Sequence, residues 1–285
     1  MNGILIRLLG RKAGERVSEL MITPVFQTHA DQLKVSIYAT REEMGKAAAA
    51  EAVRSLQQRL RIQDRVRVIF AAAPSQNEFL QALMEAADVE WGRVEAFHMD
   101  EYIGLSRTAE QSFARFVEER VIQAAEPGLN AWHPLDGKAE PAAECRRYEA
   151  LLRERPIDFV FMGIGENGHI AFNDPPVADF SDQAWVKPVE LDEACRQQQV
   201  NDGCFPSFDE VPTHALTLTV PALMSGTELF CMVPGPTKKQ AVYNTVNGKI
   251  SEACPASILR THPRCTLYVD LAAWGEVNEH ESLLK

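Results

Sequence analysis

A regular pattern begins at Leu33, Val35 and Ile37, where apolar residues take every second position, the period of a half-buried strand. Thr40-x-x-Glu43 follows. A hydroxyl three residues before a glutamate is a capping box, and it predicts an alanine-rich helix running to about Leu60. Short runs rich in β-branched and aromatic residues predict strands at 66–70, 94–98 and 159–162, with later ones at 229–233 and 266–269. The segments between them carry helical patterns, at about 77–87, 110–125, 141–154 and 238–246. Residues 130–137 read as a loop with a short extended piece.

Strands alternating with helices predict an α/β fold, with a mostly parallel sheet covered by helices on both faces. Glycine and proline are too evenly spread to mark a linker, so a single domain is expected over residues 33–285. Residues 1–32 are expected to form a loosely attached extension. In open sheets of this kind ligands bind beyond the carboxyl ends of the strands. Four loops fall at such ends: Ala72 to Gln76, Asp100 to Tyr102, Gly163 to Asp174, and Gly235 to Lys238.

Composition narrows the function classes. The net charge is -11 and no basic cluster interrupts it, which argues against nucleic acid as a partner. A few well-placed cations still suffice to bind a small anion locally. No apolar run is long enough to span a membrane, and Arg7 cuts the apolar start of the chain short of a signal-peptide core. The six cysteines include no C-x-x-C pair, so no zinc framework is expected, and reduced thiols in the cytoplasm are the simplest reading. Homo-oligomerisation is left open.

The stretch from Asp158 to Pro176 carries the most chemistry. A buried strand delivers Gly163, Gly165 and Gly168, then His169, then Asp174. Gly163-x-Gly165-x-x-Gly168 matches the dinucleotide fingerprint in form. That fingerprint needs a helix to open at the loop, and Pro175 and Pro176 stand against one. The favoured alternative is a proton-transfer site: glycines allow a tight turn, and an imidazole beside an amide and a carboxylate can move protons near neutral pH. A tight turn holding a structural histidine is the bland alternative.

Four blocks together resemble the glucosamine-6-phosphate deaminase/isomerase family: Phe97 to Leu105 with its Asp-Glu-Tyr, Met162 to Pro175, Arg196 within Asp192-Glu-Ala-Cys-Arg196, and Gly235-Pro-Thr-Lys238. Their order and spacing are similar from about residue 33 to 270. The resemblance implies a Rossmann-like fold of the deaminase/isomerase type and an enzyme that opens a hexosamine 6-phosphate, isomerises it and releases ammonia, with no cofactor and no metal. It implies Asp100 as the base that takes the C2 proton, His169 as the ring-opening group, and Asn167 and Asp174 as its catalytic partners. Arg196 and Lys238 would hold the phosphate, together with Gly168 and the loop residues Ala72, Ala73 and Ser75.

The chain departs from the family pattern at three places. Asn167 stands where an aspartate is frequent. Asp174 stands where a glutamate is usual. Ala72-Ala-Pro-Ser75 replaces a Thr-Gly-Gly/Ser-Thr loop, leaving one hydroxyl and removing a backbone donor at Pro74. The wider superfamily makes two alternatives explicit: a 6-phosphogluconolactonase-type hydrolase, which has no use for a C2 base, and a non-catalytic phosphosugar sensor, which has none for Asp100 or His169.

Overall fold

A computed structural model describes residues 22–86 and 88–275. Residues 1–21 of the expected extension and Ala87, at the end of the second expected helix, lie outside the described residues. The strands in chain order are β1 (Phe26–Ala30), β2 (Leu33–Tyr38), β3 (Val66–Phe70), β4 (Val94–His98), β5 (Asp100–Tyr102), β6 (Ala131–His133), β7 (Phe159–Met162), β8 (Val186–Glu190), β9 (His214–Leu218), β10 (Glu228–Val233) and β11 (Cys265–Asp270). The helices are α1 (Arg41–Leu60), α2 (Asn77–Glu85), α3 (Phe113–Val117), α4 (Pro141–Arg153), α5 (Glu193–Asn201), α6 (Val220–Met224), α7 (Lys239–Asn247) and α8 (Leu271–Trp274).

Eight strands form the main sheet in the order β1-β2-β11-β10-β7-β3-β4-β6. Every pairing in it is parallel except β1 with β2. The six inner strands are buried on both faces, and successive residues feed opposite cores. Phe159 and Phe161 pack with α1 and α2, whereas Val160 and Met162 pack with α4, α6 and α7. The α/β architecture with helices on both faces is as expected.

Three differences from the expected pattern have local causes. Phe26–Ala30, inside the stretch expected to be an extension, is the edge strand of the main sheet; the turn into β2 uses Asp31 at φ +50, a conformation aspartate tolerates. The helix expected at 110–125 begins only after Ser112, whose side chain accepts from the Arg115 N–H, and after Val117 it widens into a π-type turn at Glu118–Ile122. A second, antiparallel sheet, β5-β9-β8, sits beside the main one.

This topology sets up a site. β10, β7 and β3 are neighbours, so the loops at their carboxyl ends converge. β4 runs through Met99 directly into β5, which carries Asp100 over the same edge.

Candidate active site

The converging loops enclose a cleft of about 280 Å³, the scale of one small polar molecule. Ala72, Ala73 and Ser75 from the β3 loop line it, as do Gly163 and Gly165 after β7, Lys238 after β10, and Asp100 and His169. Neighbouring strands lie about 4.8 Å apart, so the β10 end that bears Lys238 and the β4 end that leads to Asp100 are roughly 14 Å apart. The cleft therefore has a Lys238 side and an Asp100 side.

Asp100 is 7% exposed, and its carboxylate has no hydrogen-bond or ion-pair partner among the described residues. Burial, reinforced by the charge of Glu101, pushes its pKa well above the usual carboxylate range. The adjacent Glu101 is used differently. Its carboxylate accepts from the Ser112 hydroxyl at 2.7 Å and from the backbone N–H groups of Tyr102, Phe113 and Ala114 at 3.0, 3.2 and 2.9 Å. Glu101 thus caps α3 and holds Phe113, which lines the cleft.

His169 is propped from behind. Its Nδ1 lies 2.8 Å from Asn167 Oδ1 and 2.9 Å from Asp174 Oδ1, and the Asn167 amide donates to the same Asp174 oxygen at 2.8 Å. Both atoms facing Nδ1 are acceptors, so Nδ1 carries the proton, and in the neutral ring Nε2 is the free base. Burial pushes the Asp174 carboxyl up, but the charge and hydrogen bond of His169, with donation from Asn167, outweigh it and hold its pKa below the usual range. Asn167 and Asp174 stand behind the imidazole and do not line the cleft.

The ring lies flat against Gly165. A methyl group there would come within 2.1 to 2.3 Å of three imidazole atoms. Gly165→Ala therefore displaces His169 from its partners. The expected result is a fall in kcat of roughly a hundredfold or more, the scale of losing an acid–base group, with a folded protein by circular dichroism. An alanine variant with unchanged kcat would show that the ring position is unimportant.

The His169 loop is stitched to the small sheet. Asn173 Nδ2 donates to the carbonyls of Ile170 and Leu218 at 2.9 and 2.8 Å, and the Phe172 N–H donates to Thr217 Oγ1 at 3.1 Å. Thr217 and Leu218 belong to β9, and Thr217 is the register partner of Asp100.

Two expected ligand-binding residues lie elsewhere. Arg196 does not line the cleft: its Nη2 donates to the carbonyls of Phe208 and Val211, both at 2.9 Å, and its guanidinium stacks over the Phe208 ring at 4.1 Å. Gly168 also lies off the cleft; it serves the turn, at φ +87, packed against Cys254. Other residues enter that the sequence did not single out. Gln198, Gln199 and Asp202 project from α5 and its end, and Arg41 from the start of α1. The Arg41 fork is paired with Glu78 through two hydrogen bonds, at 2.7 and 2.8 Å.

Lys238 is 6% exposed and has no hydrogen-bond or ion-pair partner among the described residues. Burial lowers its pKa, while the charges of Asp202 and Glu166 pull the other way. An unpaired ammonium facing a cleft is suited to an incoming acceptor. Among the described residues, His169, Asp174 and Cys195 place one donor atom each within 4.8 Å of one another, a grouping able to hold a metal ion only by giving up the His169–Asp174 contact. No helix among the described residues is long and apolar enough to cross a membrane.

A mostly parallel sheet with a polar cleft at its carboxyl edge defines the class, an α/β enzyme. Residues 39–268 match the family model described as glucosamine-6-phosphate isomerases/6-phosphogluconolactonase, and the chain belongs to that family. Glucosamine-6-phosphate deaminases of Bacillus thuringiensis (strain Al Hakam) and Bacillus anthracis (strain CDC 684 / NRRL 3495) are each 33% identical over 200 residues, 70% of this chain and 74% of theirs. The structure of a monomeric glucosamine-6-phosphate deaminase superposes with a TM-score of 0.75 at 28% identity, covering 84% of this chain and 98% of that one. A 6-phosphogluconolactonase from Thermotoga maritima reaches 0.68 at 20% identity, covering 83% and 100%, a likeness of fold.

Proposed function

We propose that the protein converts glucosamine 6-phosphate to fructose 6-phosphate and ammonia. The observation that carries the reading is the pairing, across one cleft, of an unpartnered buried carboxylate with an imidazole whose free nitrogen is a base. His169 Nε2 moves the proton between the anomeric hydroxyl and the ring oxygen, which opens the sugar. Asp100 then takes the C2 proton and returns it to C1, so that C2 becomes an imine carbon. Water adds at C2, the C–N bond breaks and ammonia leaves. A raised pKa suits a carboxylate that must both take and give a proton. The enzyme works with the carboxylate form, so its rate falls as pH drops through the elevated Asp100 pKa. Six free cysteines support a cytoplasmic setting.

Incubation with glucosamine 6-phosphate in deuterated water tests the reading. It requires ammonia release and deuterium at C1 of the product. Hydrolysis of 6-phosphogluconolactone without either would refute it.

Lys238 and Arg196 separate cleanly under the same assay. Lys238→Ala removes a charge-assisted hydrogen bond, about 1.5–3 kcal/mol, and raises KM roughly ten- to a hundredfold. Arg196→Ala loosens the Phe208–Val211 turn and lowers Tm while shifting KM less than about threefold. A large KM effect at Arg196 would return it to the substrate.

A further inference from the structure

The Lys238 side of the cleft has an unusual charge balance for an anion site. Lys238 is its one unpaired cation among the described residues, since the Arg41 guanidinium lies against the Glu78 carboxylate. Asp202 lines the same cleft, an exposed carboxylate at the end of α5 whose Oδ2 accepts from Gln198 Nε2 at 3.2 Å. The Asp202 charge is the main influence opposing the burial of Lys238. Gln199, buried and also lining the cleft, accepts from the Tyr102 hydroxyl at 2.8 Å through Oε1, and its Nε2 has no partner among the described residues. The cleft therefore offers donors, Lys238 Nζ, Gln199 Nε2 and the hydroxyls of Ser75 and Thr237, and two carboxylates act on Lys238, Asp202 and Glu166, of which Asp202 lines the cleft.

A fully ionised phosphate has only acceptors and a double negative charge. It would satisfy Lys238 and Gln199 but meet Asp202 as a repelling lone pair. A group carrying an O–H suits both kinds of partner: its hydrogen goes to Asp202 and its oxygens take the donors. We infer that the Lys238 side recognises a protonated oxygen, with Asp202 as the residue that selects it. Two ligands offer this chemistry, a phosphate ester in its singly protonated form and the free hydroxyl of an unphosphorylated hexosamine. The inference deepens the deaminase reading and rests on it for the hexosamine frame.

Binding by calorimetry tests this in an Asp100→Asn background, which holds ligand without turnover. Glucosamine 6-phosphate, glucosamine 6-sulfate and glucosamine are compared at about pH 5.5 and 8, with and without Asp202→Asn. A sulfate ester has no proton to give, so it is expected to bind at least about tenfold more weakly than the phosphate ester at the lower pH, a difference that Asp202→Asn shrinks to about threefold or less. The second phosphate pKa is about 6, so if the phosphate is the source, its affinity falls roughly tenfold or more toward pH 8. Lys238, Cys204, Arg41 and His169 also line this space, and Glu166 and Cys195 act on Lys238 through their charge; the dependence assigned to Asp202 is the part that Asp202→Asn removes. If the hydroxyl is the source, glucosamine outbinds its phosphate at pH 8 and Asp202→Asn weakens it.

Equal affinity for sulfate and phosphate esters, unchanged by Asp202→Asn, together with weaker binding of glucosamine, overturns the inference. So does the failure of all three sugars to bind at millimolar concentration. Absence of ammonia release from the wild-type protein, with the Asp202-dependent discrimination intact, instead removes the deaminase reading and leaves the recognition standing.

Discussion

Asp100→Asn is expected to lower kcat by about 10²–10⁴ while making the folded protein more stable at neutral pH. The asparagine amide keeps the shape of the carboxyl but accepts no proton, so deuterium exchange at C2 stops and substrate still binds. The stability gain follows from linkage. Burial raises the folded-state pKa of Asp100 above its unfolded value. The folded protein then binds more protons than the unfolded chain between those two values, and stability declines as pH rises through that window. Above it a charged carboxylate is held without a partner. The asparagine variant lacks this penalty, so its Tm advantage over wild type grows from acid toward neutral pH and vanishes below the ordinary carboxylate range. Melting curves across that range decide the point. A variant no more stable than wild type at neutral pH would mean that Asp100 has a partner that satisfies its charge.

His169→Gln is expected to cost a similar factor, about 10²–10⁴, and to cost it selectively. Glutamine keeps a hydrogen-bond donor for Asn167 and Asp174 but supplies no base at the Nε2 position. Turnover of the closed pyranose should fall by that factor, while an open-chain substrate analogue that bypasses ring opening loses less than about tenfold. Equal losses on both would assign the histidine to holding the loop together. The variant also unpairs Asp174 from its imidazole. The Asp174 carboxyl is held below its usual pKa by His169 and its neighbours, which contributes stability above the unfolded value, lost as pH falls through the folded one. Acid denaturation should therefore begin at higher pH in the variant.

The inner strands of the main sheet were legible because they are buried on both faces and read as short apolar runs between turns. The small sheet was not. β8 contains Pro188, which removes a ladder donor and weakens a strand pattern, and it is tolerated because β8 is an edge strand. β5 is three residues long and looks like a continuation of the loop after β4. β1 was missed because its hairpin uses Asp31 and Gln32, without the glycine that usually marks such a turn.

At the site, Asp100, His169 and the β3, β7 and β10 loops were readable because each follows a strand end in an informative motif. α5 was harder. It is polar nearly throughout, so periodicity does not say which side faces inward. Arg196 and Gln198 are two residues apart, about 200° around a helix, and thus on nearly opposite sides. The sequence motif pointed to the arginine, while the helix turns its glutamine to the cleft. Arg41 was hidden for a different reason, since a charged first residue after an N-cap looks like ordinary solvated surface.

The hydrogen bonds from Asn173 and Phe172 to β9 have a mechanical consequence. β9 holds Asp100 through strand pairing on one side and the His169 loop through those contacts on the other, so one strand works as a gauge block between the two proton-handling groups. Their spacing thus has a local link in addition to the one through β7, β3 and β4 of the eight-stranded sheet. Fraying at β1 or β6, the outer edges of that sheet, leaves the gauge untouched. Heat or denaturant should abolish activity only in step with release of β9, so an amide-exchange probe on Leu218 would serve as a clock for inactivation where a probe on β1 would run early.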